Sequence, residues 1–201
     1  MKRTKPVFGV DVDDTLIHCA AAMCAYLNRV HGYTIEKSDM TTFYFGDLLG
    51  LSRQEARAMI YPFHFSKEHE NISPISGAHE ALSTLSLRYT PIAITARSPT
   101  TRIPTVTLVE RHFPGIFKEV LFTGYVPGQP YRSKGDVCAD LGVAFMVEDA
   151  LHNAVSVGER GITVYLLDTP WNQGALPPNT IRVACWDDIV RHVTDGALCR
   201  K

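Results

Sequence analysis

Short apolar runs rich in β-branched residues alternate with helix-forming stretches along most of the chain. The run Lys5–Val12 reads as a buried strand by its length and its Val and Phe content. Residues 16–31 are long and rich in good helix formers, and Gly32 supplies a stop. The same alternation returns after residue 73. It predicts a helix over 76–88, a strand over 90–96, a helix near 101–112 with Pro104 in its first turn, and a strand over 119–124. A helix over 134–141, a strand over 143–149, a short helix ended by Gly161 and a strand over 162–168 follow. The Pro, Gly and Asn content of 168–180 predicts a loop, and the chain closes with a short strand and a helix. The last residues, 195–201, read as loose.

Strand followed by helix, repeated, predicts an α/β fold: a three-layer, Rossmann-like parallel sheet with helices on both faces. Residues 33–73 break the rhythm. They carry many of the aromatics and no buried-strand pattern, and Ser52 with Glu55 forms an S-x-x-E start signal for a helix ending before Pro62. The expectation is one core from 1–32 and 74–201, with 33–73 inserted as a small, mostly helical cap after the first strand–helix unit.

Composition narrows the function. The 201 residues are 45% hydrophobic, enough for a proper core, and the formal net charge is −1. A near-neutral chain has no broad basic field, so extended nucleic acid and membrane surfaces are not expected partners. No apolar run is long enough to span a bilayer, and the basic N-terminus meets acidic residues too early for a signal peptide. Five cysteines, Cys19, Cys24, Cys138, Cys185 and Cys199, show no C-x-x-C spacing. An odd number without metal spacing reads as reduced thiols, hence a cytoplasmic protein.

Ligands of such sheets bind at the carboxyl ends of the strands. The first predicted strand ends in Asp11-Val12-Asp13-Asp14-Thr15. Residues i and i+2 of an extended segment share a face, so Asp11 and Asp13 can address one site. Their repulsion, about 4 kcal/mol at 4 Å and an effective dielectric of about 20, calls for a cation or a shared proton. The second strand ends in Thr95-Ala96-Arg97, Lys134 opens a later helix, and another strand ends in Glu148-Asp149. Taken singly, Thr95 is an ordinary strand residue, Lys134 an ordinary surface lysine, and Asp13-Asp14-Thr15 an ordinary helix cap.

Together these residues resemble the haloacid dehalogenase superfamily over nearly the whole chain. Asp11-Val12-Asp13-Asp14-Thr15 matches its D-x-D-x-T motif, Thr95 its second motif, Lys134 its third and Glu148-Asp149 its fourth. The segment Asp168-Thr169-Pro170-Trp171-Asn172, with Arg182-Val183 and Trp186, looks like the tail of the 5′-nucleotidase-like branch that includes the 5′(3′)-deoxyribonucleotidases. The insertion looks like that superfamily's small cap.

The resemblance implies a Mg²⁺-dependent phosphomonoester hydrolase. Asp11 would be the nucleophile, and Asp13 the acid and then the base. Thr95 and Lys134 would bind phosphate and balance charge. Asp11, Asp13 through its backbone carbonyl, and Asp149 would hold Mg²⁺, with Asp14 and Glu148 behind them. Arg97 would contact the substrate or pair with an acid of the insertion. Phe43, Phe45 and Phe63 are candidates to stack a nucleobase, so a nucleoside monophosphate is favoured over a sugar phosphate. The scattered histidines, His64, His69 and His152 among them, read as structural. A small cap leaves a site open, and a homodimer is one way of closing it. A catalytically idle binding module would be expected to lose Asp11 or Asp149, and this chain keeps both.

Overall fold

The computed structural model describes residues 4–126 and 128–198. Six strands form one all-parallel sheet: β1 (Val7–Val10), β2 (Thr90–Thr95), β3 (Val120–Phe122), β4 (Phe145–Glu148), β5 (Thr163–Leu167) and β6 (Thr180–Val183). Their order across the sheet is β3-β2-β1-β4-β5-β6. The order reverses at β1, so the crevice between β1 and β4 is the switch point where this topology places ligands.

Side chains alternate across the sheet with period two. Phe8, Val10, Phe145, Val147, Tyr165 and Leu167 face one core with α1 (Cys19–His31), α5 (Ala78–Leu85), α6 (Arg102–His112) and α9 (Trp186–Leu198). Ile92, Ile94, Met146, Val164 and Leu166 face a second core under α7 (Lys134–Asp140) and α8 (Leu151–Gly158). This is the predicted three-layer arrangement. Among the described residues no helix is long and apolar enough to cross a membrane.

Several elements are shorter than their patterns suggest. The first strand stops at Val10 and the following helix starts only at Cys19. Leu16 and Ile17 are fully buried, but in a tight turn, because Asp14 takes a positive φ of 50° and Ile17 bridges Asp13 and Pro74. At the far end of the chain, 195–198 continue α9 instead of fraying, and 199–201 lie outside the described residues.

Residues 33–73 hold no strand. A 3-10 turn (Lys37–Asp39), α2 (Phe45–Leu49), α3 (Arg53–Ile60), a second 3-10 turn (Tyr61–Phe65) and α4 (Lys67–Glu70) follow one another. Ser52 caps α3 as predicted: its hydroxyl accepts from the Glu55 N–H, and the Glu55 carboxylate accepts from the Ser52 N–H at 2.9 Å. Met40, Phe45, Phe63 and Ile72 join the main core, so the insertion packs on the sheet domain through apolar side chains.

Candidate active site

Asp11 is the first residue beyond β1, and its N–H donates to Val147 O at 2.9 Å, extending the β1–β4 pairing to the crevice. Its Oδ1 accepts from Lys134 Nζ at 2.5 Å. Lys134 is only 1% exposed and also donates to Glu148 Oε1. Glu148 Oε2 accepts from the N–H groups of Asp149 at 2.9 Å and Ala150 at 3.0 Å. One buried ammonium thus ties the end of β1 to the end of β4.

Charge and burial compete here. Burial pushes the Asp11 carboxyl up to about 7; the Lys134 ammonium opposes this and the Glu148 carboxylate adds to it. Burial works against the Lys134 ammonium as well, but Asp11 and Glu148 outweigh it and hold its pKa above the ordinary lysine value. Asp149 is driven well above the usual carboxylate range by burial first, then by Glu148 and Asp11.

Asp149 Oδ2 accepts from Trp171 Nε1 at 2.9 Å. Its Oδ1 is buried and has no hydrogen-bond partner among the described residues. Carboxylate oxygens of Asp11, Glu148 and Asp149 lie within 4.8 Å of one another. A set of oxygen donors alone, with one buried oxygen unsatisfied, fits a hard cation such as Mg²⁺. The Asp13 side chain stands outside this cluster.

Asp13 is instead held by Arg97, whose Nε lies 2.9 Å from Oδ2 and whose Nη2 lies 2.7 Å from Oδ1. Burial acts to raise the Asp13 carboxyl, but the guanidinium outweighs it and holds the group well below the usual range. Arg97 Nη1 also reaches His69 Nε2 at 2.8 Å and Thr105 Oγ1 at 3.0 Å. The expected partner of Arg97 was the substrate or an acid of the insertion; the observed partners are Asp13 and a histidine of the insertion.

Thr95 ends β2 fully buried, and its Oγ1 accepts from the Arg97 N–H at 3.1 Å. Asp14 accepts from Lys37 Nζ at 2.7 Å and from the Ala20 N–H at 2.8 Å. Burial raises the Asp14 carboxyl against the pull of Lys37.

Above these groups lies a cavity of about 270 Å³. Asp11, Asp13, Arg97 and Asp149 line its polar end; Phe43, Tyr44, Phe45 and Trp171 are among its apolar walls. Phe43 and Phe45, expected to stack a base, line this cavity. Phe63 does not: it is fully buried, away from the cavity, with its ring against Tyr26 at 5.7 Å and His69 at 5.5 Å. Among the walls missed by sequence reasoning are Met23, Met40, Ile60 and Trp171. Trp171 had a signal, since it sits in the singled-out Asp168–Asn172 segment; Met40 had none.

A buried lysine between two carboxylates at the switch point of a parallel sheet fits a phosphomonoester hydrolase of the haloacid dehalogenase superfamily, the class to which the chain's family and relatives assign it. Solved structures share the fold. A haloacid dehalogenase-like hydrolase, SP0104 of Streptococcus pneumoniae, superposes with a TM-score of 0.69 at 15% identity, over 96% of this chain and all of that one. The "putative HAD-hydrolase YfnB" of Bacillus subtilis, solved bound to magnesium, superposes with a TM-score of 0.65 at 13% identity, over 94% and 98% of the two chains.

A profile of the family described as "5' nucleotidase, deoxy (Pyrimidine), cytosolic type C protein" matches residues 5–195, and the chain belongs to that family. It is 26% identical to the "Putative nucleotidase YqfW" of Bacillus subtilis over 196 residues, 94% of this chain and 93% of that protein. It is 25% identical to the "Putative nucleotidase BH1399" of Halalkalibacterium halodurans over 188 residues, 92% of this chain and 91% of that protein. Its substrate is accordingly a small phosphate ester.

Proposed function

We propose that the chain is a Mg²⁺-dependent nucleoside monophosphate phosphatase, of ribo- or deoxyribonucleotides, that works through an aspartyl-phosphate on Asp11. The observation that carries this reading is that Asp11, bonded to the buried Lys134, meets Asp149 at the polar end of a cavity partly walled by Phe43, Tyr44, Phe45 and Trp171. A cavity of about 270 Å³ suits one small ligand and not a polynucleotide strand. Phe43, Tyr44 and Phe45 come from the insertion, which acts as the cap over the core of 1–32 and 74–201. Their rings offer stacking faces to a base.

In this reading Asp11, the Asp13 carbonyl and Asp149 would hold Mg²⁺, with Glu148 fixing Lys134 behind them. Mg²⁺ bound there would offset the charge of the phosphate dianion as it meets the Asp11 carboxylate. A carboxylate oxygen of Asp11 attacks phosphorus, and the ester P–O bond to the leaving alkoxide breaks. Asp13 delivers a proton to that alkoxide. It then takes a proton from a water, which attacks phosphorus and breaks the P–O bond to Asp11, releasing inorganic phosphate. Lys134 keeps Asp11 oriented, and Thr95 with the backbone N–H groups near Val12 and Asp13 binds the phosphoryl oxygens. Arg97 contacts the substrate once Asp13 is free of it. The same reading places the enzyme in the cytoplasm.

The test is phosphate release from a panel of nucleoside 5′- and 3′-monophosphates, sugar phosphates and an aryl phosphate. Each is run with Mg²⁺, with EDTA, and with Asp11→Asn. The expected result is release that needs Mg²⁺, vanishes in Asp11→Asn, and is fastest with a nucleotide. Equal release by Asp11→Asn and wild type would remove the nucleophile assignment. A sugar phosphate as best substrate would remove the nucleotide.

A further inference from the structure

Two neighbours in one 3-10 turn, Trp171 and Asn172, both grip Asp149, and they do so from the loop after β5, outside all four sequence motifs. Asn172 is fully buried. Its Nδ2 donates to the backbone oxygen of Asp149 at 2.7 Å and to that of Leu167, at the end of β5, also at 2.7 Å. The backbone of Asp149 is thereby tied to the neighbouring strand. Trp171 acts on the side chain: its Nε1–H donates to Oδ2 at 2.9 Å.

A carboxylate turns easily about its last torsion, which is broad and nearly two-fold. A single donated hydrogen bond from a rigid, buried indole removes that freedom. It occupies Oδ2 and presents Oδ1, the buried oxygen with no partner among the described residues. The indole is held in turn. Lys37 Nζ sits 5.1 Å from its ring centroid and is bonded to Asp14 at 2.7 Å, so a residue of the insertion braces it.

We propose that Trp171 is a positioning residue for the metal carboxylate: its N–H orients Asp149 so that one oxygen faces the cation. The proposal rests on the reading of Asp11 and Asp149 as the Mg²⁺ site. Partners that orient metal ligands typically contribute about 10–100-fold in metal affinity. The plain alternative is that the bond only satisfies a buried indole N–H.

The two ideas part on metal binding. Mg²⁺ affinity is measured by calorimetry on wild type and Trp171→Phe, which keeps an aromatic ring and loses the N–H. Trp171→Phe is expected to bind Mg²⁺ about 10–100-fold more weakly. An independent measurement needs no variant. The chain has two tryptophans, and Trp186 Nε1 donates to the Thr15 carbonyl at 2.9 Å. In a ¹⁵N-labelled wild type, the Trp171 indole N–H resonance should shift with added Mg²⁺, saturate at the calorimetric affinity, and move more than that of Trp186. Unchanged Mg²⁺ affinity in Trp171→Phe would overturn the proposal and leave the metal site standing. Should that variant fail to fold, a stationary Trp171 resonance in a wild type that binds Mg²⁺ would overturn it equally. A wild type that binds no Mg²⁺ would bring down the metal site and this proposal together.

Discussion

Arg97 and Asp13 form a two-pronged ion pair, with Nε 2.9 Å from Oδ2 and Nη2 2.7 Å from Oδ1. A carboxylate so held is ionised, and an ionised carboxylate has no proton to give a leaving alkoxide. The acid role proposed for Asp13 therefore needs Arg97 to exchange this bond for another anion, and a bound phosphate is the anion at hand. A lysine cannot reproduce the planar fork. Arg97→Lys is expected to lower kcat/KM by about 10–100-fold, the equivalent of one or two charge-assisted hydrogen bonds. Steady-state kinetics on the best substrate checks this; unchanged kcat/KM would show that Arg97 only packs.

Among the described residues Lys134 is the only cation that pairs with Asp11 and Glu148, and its side chain is 1% exposed. Removing one partner from a buried ionic cluster leaves unpaired charge in a low dielectric. Lys134→Met is expected to cost about 3–5 kcal/mol of metal-free stability at neutral pH, read from urea unfolding. Loss of less than about 1 kcal/mol would mean that the carboxyls simply take up protons.

His69 is 2% exposed and accepts from Arg97, so it is held neutral. Burial, with Arg97 adding to it, lowers its pKa to about 3. The unfolded chain, with histidine near 6.5, then binds more protons between these values. The stabilisation is complete above about 6.5 and is lost as pH falls toward about 3. His69→Gln lacks this titration. Between pH 6 and 4, wild type should lose stability more steeply than His69→Gln, by up to about 1.4 kcal/mol per pH unit. Parallel pH profiles for the two proteins would contradict the assignment.

Gly135 follows Lys134 in α7 and lies against α8, where a Cβ would meet Ser156 O at 2.1 Å. No flexible side chain can yield there, because the neighbour is backbone. Gly135→Ala is expected to push the helices apart, cost about 1–3 kcal/mol and displace Lys134 from Asp11. Thermal unfolding and the activity of the variant check the two halves separately.

Much of this was legible before any coordinates. The parallel sheet followed from strand–helix alternation, because each apolar strand must be covered on both faces. Ser52 and Glu55 announced the start of α3 because capping is a contact over three residues. The motif residues were recognisable because each sits at a strand end or a helix start. Phe63 was misread for the opposite reason. An aromatic in a small insertion can face the cavity or the core, and its neighbours in sequence do not say which; Tyr26 and His69 decide it.

By itself the sequence determined the class of fold and the order of the motifs, since these depend on local periodicity and spacing, and its motif residues carried the resemblance to the family. The tertiary structure decided the pairings. Arg97 with Asp13 spans 84 positions, Trp171 with Asp149 spans 22, and Lys134 lies between Asp11 and Glu148 at the ends of two different strands. No local pattern encodes such contacts. They exist because the sheet order brings β1 beside β4 and because burial forces each charge and each donor to find a partner in space.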